Sequence, residues 1–114
     1  MSVLDPEALQ RLMGFGGPKL VREMIALFLK NAPAKARDAR KALDSGDAAA
    51  VSAALHGLKS SAGQLGAVSV FSACTAGEEL ASRGDLSGCA SHVAVVESDL
   101  PAACRQLQAF AAAQ

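Results

Sequence analysis

The sequence predicts an all-α fold, an antiparallel bundle of amphipathic helices, and three observations carry that prediction. Alanine supplies 25 of the 114 residues, against 27 for Leu, Ile, Val and Phe together. There are four Phe, no Tyr and no Trp, so the residues that strands favour are scarce while the best helix former is abundant. Apolar side chains recur three or four residues apart between Gly, Pro and Asp punctuation, and no useful stretch alternates with a period of two.

Each element has its own signals. Asp5-Pro6-Glu7 starts a short first helix, with Asp as N-cap, Pro at the first helical position and Glu in the first turn. Leu9, Leu12 and Met13 give it an apolar stripe, which Gly14, Gly16 and Gly17 end. Pro18 opens a second helix whose predicted stripe is Leu20, Met24, Leu27 and Phe28. Pro33 predicts an interruption or kink, because proline removes one helical hydrogen bond; the pattern then resumes through Ala36, Ala39 and Leu43. Ser45-Gly46-Asp47 reads as a stop followed by a new N-cap. The third helix carries Val51, Leu55, Leu58, Ala62 and Leu65 on one face, and Gly66 ends or bends it. A fourth runs roughly from Ser69 to Ser82 and stops at Arg83-Gly84-Asp85. The fifth has Cys89, Val93, Val96, Leu100, Ala103, Leu107 and Phe110 at helical spacing, with a kink expected at Pro101 and fraying from Ala109 to Gln114.

Length and charge narrow the function classes. A chain of 114 residues is one domain, here residues 1–114. Eleven basic and eleven acidic residues cancel, so no polycationic signal for nucleic acid exists. Their distribution is uneven: Lys19 to Lys41 holds seven basic residues and two acidic, a solvated basic face or a steering surface for an acidic partner. The longest apolar run, Met24 to Leu29, falls far short of the ~20 residues that span a bilayer. The start MSVLDPEAL lacks the basic and apolar regions of a signal peptide, so a cytoplasmic protein is expected. Cys74, Cys89 and Cys104, each 15 residues from the next, form neither a disulfide framework nor a zinc spacing and read as small buried helix residues.

The chemistry concentrates on the third helix. Stepping 100° per residue, His56 points away from the core stripe, with Ser52, Lys59, Ser60 and Gly63 around it. This face is short of bulk, since Ser52, Ala53, Gly57, Ser60 and Gly63 all surround the imidazole. Two glycines inside a helix cost about 1 kcal/mol each relative to Ala. Close approach of another protein to an uncluttered histidine is a physical reason to bear that cost. Lys59, one turn on, puts a flexible cation where an anion on the imidazole would sit.

The string His56-Gly57-Leu58-Lys59-Ser60-Ser61-Ala62-Gly63-Gln64-Leu65-Gly66-Ala67 resembles the signature of histidine-containing phosphotransfer (HPt) domains of bacterial phosphorelays. The Asp-Pro start, the Leu-Phe-Leu segment before a Pro, the Ser-Gly-Asp turn and the Glu-Leu helix after the motif extend the resemblance over most of the chain. It implies a four-helix bundle, here with the short additional N-terminal helix, and His56 exposed midway along one helix as phosphoacceptor. Such domains take a phosphoryl group from a receiver-domain aspartate and pass it to another receiver aspartate. They bind no ATP and carry no cofactor or metal of their own; the receiver supplies Mg²⁺ and the reacting carboxylate. Lys59 would hold the phosphohistidine oxygens, and Ser52, Ser60, Gly63 and Gln64 would form the receiver docking face. The implied partners of such a cytoplasmic monomer are response-regulator receivers and a hybrid sensor histidine kinase. Two departures stand out: Ser60 where many relatives have Gly, and Gly77, which could loosen its helix, where Leu is usual.

Glu78 enters by counting. If the third helix turns back around Ala67, His56 lies 11 residues before the turn and Glu78 lies 11 after it. Glu78 is then placed to accept a hydrogen bond from His56 Nδ1–H and leave Nε2 free to attack. One residue of error in the turn would substitute Glu79. The rival reading is a non-catalytic helical adaptor that binds receiver or kinase domains without phosphotransfer, against which the intact His56 and Lys59 count. A hydrolase is disfavoured, because the sequence shows no nucleophile elbow and no orienting acid on a strand. His92, 36 residues from His56, reads as a surface residue of the last helix rather than a second metal ligand.

Overall fold

The computed structural model describes residues 3–114. Four helical segments follow in order: α1 Pro6–Asp44, α2 Ala48–Leu65, α3 Val68–Ser82 and α4 Leu86–Ala112. Neighbours in the chain pack together, and α4 closes the bundle against α1. The molecule is elongated, 42 × 23 × 21 Å.

The expected short N-terminal helix is present as the first part of α1. At Gly17 the backbone leaves helical geometry, with φ 78° and ψ 178°, and Pro18 restarts the helix. Two caps fall where expected, Asp5 accepting from the Glu7 N–H at 3.0 Å and Asp47 from Ala50 at 3.1 Å, and Asp85, read only as a stop, also caps α4 by accepting from Gly88 at 2.9 Å. Gly66 ends α2 in the left-handed region with φ 74°, leaving a turn of only two residues before α3. Its carbonyl accepts from the Asp5 N–H at 2.7 Å, and a Cβ there would lie 2.7 Å from that of Ala8. The glycine therefore serves both the turn and the docking of the N-terminal helix upon it.

The stripes of α2 and α4 are buried as predicted, apart from a half-buried Phe110. The stripe of α1 differs. Val21, Ile25, Phe28, Ala32, Ala36, Ala39 and Ala42 form its core face, while Leu27 is 59% exposed and Leu20, Met24 and Leu43 are half-buried. Four alanines let the neighbouring helices approach closely, and this close packing turns the larger leucines to the rim. Pro33 does not interrupt the helix, and Gly17 is the break inside α1. At the chain end α4 is helical to Ala112, and the Gln114 carbonyl accepts from Arg22 at 3.2 Å. A two-pronged ion pair, Arg40 to Glu97 at 2.6 and 3.0 Å, ties α1 to α4. Cys74 and Cys89 are buried and Cys104 half-buried, all as free thiols.

Gly77 is a packing feature rather than a weak point. It is buried, and a Cβ built there would stand 2.8 Å from Leu55 Cδ1 and 3.3 Å from His92 Cβ. Its carbonyl accepts from Cys89 Sγ at 3.3 Å. The missing side chain lets α3 seat against α2 and α4, so the expected loosening is replaced by close contact.

Candidate functional site

His56 projects from the middle of α2 with 68% of its side chain exposed. The two-residue turn makes α2 and α3 antiparallel, which brings Glu78 level with it. His56 Nδ1 and Glu78 Oε2 are 2.9 Å apart, and Lys59 Nζ donates to Glu78 Oε1 at 2.9 Å. One carboxylate thus holds both basic groups of the motif. Glu78 is only 18% exposed and Lys59 25%, so this bridge is better shielded than the imidazole itself. Glu79 points elsewhere, toward Arg83 at 3.6 Å.

The electrostatics follow from this arrangement. Partial burial pushes the Glu78 carboxyl up, but hydrogen bonds from Lys59 and His56, with their charges, outweigh it and hold it below the usual carboxylate range. Cys74 lies beneath; burial, reinforced by the Glu78 charge and opposed by Lys59, pushes its thiol up to about 12. A thiol so placed stays protonated and is no nucleophile at neutral pH.

The groove between α2 and α3 is lined by Ala49, Ser52, Ala53, His56, Lys59, Thr75, Glu78, Glu79 and Ser82. Ser52 therefore shares a groove with the imidazole. Ser60 is exposed, and its hydroxyl donates back to the His56 carbonyl at 3.4 Å. Gly63 and Gln64 are exposed too, but they border a second depression, with Ala8, Arg11, Leu12 and Phe15 of the N-terminal helix. A Cβ at Gly63 would lie 3.0 Å from the Phe71 ring. Phe15, at 89%, and Phe71, at 39%, are exposed aromatics on this side, and neither was singled out by sequence reasoning. The one available signal was Phe15 itself, an aromatic set among Gly14, Gly16 and Gly17 in a stretch read only as a helix stop.

His92 is a half-buried surface residue of α4, in the α3/α4 groove with Ser72, Val95 and Asp99. Among the described residues no three His, Cys, Asp or Glu side chains gather as a metal site. Nor is any described helix long and apolar enough to cross a membrane.

The site is thus an exposed histidine on a four-helix bundle, held with a lysine by one carboxylate. The family model for the Hpt domain matches residues 23–110. The chain belongs to the Hpt domain family. Its role is accordingly histidine phosphotransfer in a phosphorelay. The N-terminal helix, with Phe15, lies outside the matched Hpt region. The fold is similar to that of histidine-containing phosphotransfer protein B (HptB) from Pseudomonas aeruginosa PAO1, with TM-score 0.89, 22% identity and coverage of 98% of this chain and 96% of that one. It is also similar to the maize histidine-containing phosphotransfer protein ZmHP2, with TM-score 0.80, 28% identity and coverage of 94% and 81%. No curated protein sequence matches.

Proposed function

We propose that residues 1–114 act as one monomeric relay unit in which His56 accepts a phosphoryl group from a receiver aspartate and passes it to another. The observation that carries this is the 2.9 Å pairing of His56 Nδ1 with Glu78, which leaves Nε2 of an exposed ring facing solvent. A neutral imidazole with Nδ1 protonated has its lone pair on Nε2. That nitrogen attacks phosphorus, the N–P bond forms, and the acyl O–P bond breaks with its electron pair leaving on the aspartate carboxylate. Lys59 is within one turn of the ring and supplies a cation for the phosphoryl oxygens. Partners of this reading are response-regulator receivers and a hybrid sensor kinase.

Docking is assigned to the small-residue face, with Ser52 in the same groove as the ring and Ser60, Gly63 and Gln64 beyond it. Phe15 and Phe71 extend this face with apolar area, the kind of surface a protein partner covers. Incubation with a phosphorylated receiver tests the reading: an acid-labile, base-stable label on His56 is expected, and binding without any label would favour the adaptor.

Two variants separate the parts. Lys59→Ala is expected to slow transfer about tenfold, the value of one charge-assisted contact, while leaving label on His56. An unchanged rate in rapid-quench measurements would make Lys59 a surface lysine. Gly63→Gln adds bulk where Phe71 already sits 3.0 Å from the Cβ position, and should weaken receiver binding about tenfold. Calorimetric titration giving the wild-type affinity would move the interface elsewhere.

A further inference from the structure

Two features of the α1/α4 side have no part in the phosphotransfer site: prolines inside both helices and a stripe of unmatched positive charge. A helix-interior proline is costly because it removes a helical hydrogen bond, yet Pro33 stands inside α1 and Pro101 inside α4. With Ala36 and Leu100 they line one depression of about 360 Å³ between these two helices. That volume is at the small end of ligand clefts, roughly 300–1,000 Å³, and holds one or two side chains rather than a folded surface.

The charge sits on its rim. Arg37 and Lys41 border the depression and are exposed. Four residues apart, they are like charges on one helix face, an unfavourable pair unless something offsets it. Neither has an acidic partner among the described residues. Asp38 lines the groove on the α2 side instead, while Asp44 and Glu97 are both held by Arg40. Lys30 is exposed as well, and at 100° per residue Lys30, Arg37 and Lys41 fall within about 40° of one another on α1. The stripe therefore runs on along α1, past the depression.

We propose that the α1/α4 groove is a second docking site, which takes an acidic segment of a partner protein carrying one large aliphatic side chain. The aliphatic group seats on Pro33, Ala36, Leu100 and Pro101, and carboxylates to either side of it pair with Arg37, Lys41 and Lys30. The arginine and lysine stems add apolar wall while their heads stay in water. The proline rings make the floor rigid, a use for residues that the helices themselves disfavour. Glu97 selects a peptide over a run of phosphates or an anionic bilayer. A carboxylate in the wall repels closely spaced phosphates, whereas a peptide can place its acids clear of it. A flat bilayer, moreover, does not reach a concave floor.

Position gives the site its use. α1 packs against α2 and α4, and α3 does the same, so the α1/α4 groove lies across the bundle from the α2/α3 groove that holds His56. A partner held there leaves the acceptor face open. The chain can be tethered while a receiver docks, which raises the effective concentration of the tethered protein without blocking exchange.

The test uses the full chain and a fluorescein-labelled peptide, Asp-Glu-Asp-Leu-Glu-Asp-Glu, at low salt. Saturable binding is expected by fluorescence anisotropy, with amide NMR shifts gathered at residues 33–41 and 97–101. Arg37→Glu combined with Lys41→Glu should weaken binding by about tenfold or more, as should a peptide with Ser in place of Leu. Both substituted side chains are exposed, so the variant should fold, and the wild-type shift map decides if it does not. Receiver-dependent labelling of His56 should be unchanged in the peptide-saturated chain. No saturable binding by about 1 mM, shifts confined to the α2/α3 side, or labelling blocked by the peptide overturns the proposal. So does binding to phosphatidylserine vesicles without binding to the peptide, or a dimer that the two substitutions dissolve in sedimentation while the peptide stays unbound.

Discussion

His56→Gln is expected to take no phosphoryl label from a phosphorylated receiver, at any time point, while folding as the wild type does. The loss should be complete because, among the described residues, no activated substitute nucleophile lines the groove. Cys74 is buried beneath the site with its thiol raised to about 12, and the Ser60 hydroxyl is turned to the carbonyl of residue 56. The other histidine, His92, is half-buried between α3 and α4 and faces a different groove. The fold should survive because the side chain is 68% exposed and contributes little packing. Glu78 keeps Lys59 as a partner at 2.9 Å, so no shielded carboxylate is stranded. A stability change within about 0.5 kcal/mol is expected, as for surface positions generally. Label on the variant at a normal rate, with unchanged helical circular dichroism, would remove His56 from the chemistry.

The readability of this molecule tracks how strongly each signal is tied to geometry. Helix ends marked by Asp5, Asp47, Asp85 and Gly66 were legible because caps and left-handed turns are local chemistry. The contact of Glu78 with His56 could be reached by counting, since a two-residue turn leaves an antiparallel pair no freedom of register. Counting did not reveal that Lys59 shares the same carboxylate, which depends on where two long side chains meet. The core face of α1 was harder. Its alanines and leucines occupy adjacent stripes, and close packing selected the alanines, leaving Leu27 outside. Phe15 was missed for a related reason: its exposure depends on how the N-terminal helix docks on Gly66, a tertiary contact. Gly77 read as a helix weakness because propensity is a local property, whereas its value lies in what packs against it.

That last position carries the second large effect. Adding a leucine side chain there, as Gly77→Leu, is expected to destabilise this chain by about 3 kcal/mol, the upper end of overpacking costs. The first added carbon alone would stand 2.8 Å from Leu55 Cδ1, 3.3 Å from His92 Cβ and 3.6 Å from Cys89 Sγ. Leu55 is fully buried, so its methyl has no solvent to move into, and Cys89 is fully buried as well. Replacing glycine in a helix interior returns about 1 kcal/mol of propensity, which offsets only part of this. Gly77→Ala measures the balance, since it gains the propensity and meets only the first clash. It should be near neutral, while Leu lowers the melting temperature by about 10–20 °C. The insertion would also push α3 away from α2, and Glu78 is the next residue along. Receiver-dependent labelling of His56 should therefore fall in Gly77→Leu even at temperatures where the chain is folded. A leucine variant that melts with the wild type would mean that Leu55 and α4 yield without cost, and that glycine is not what seats the carboxylate beside the histidine.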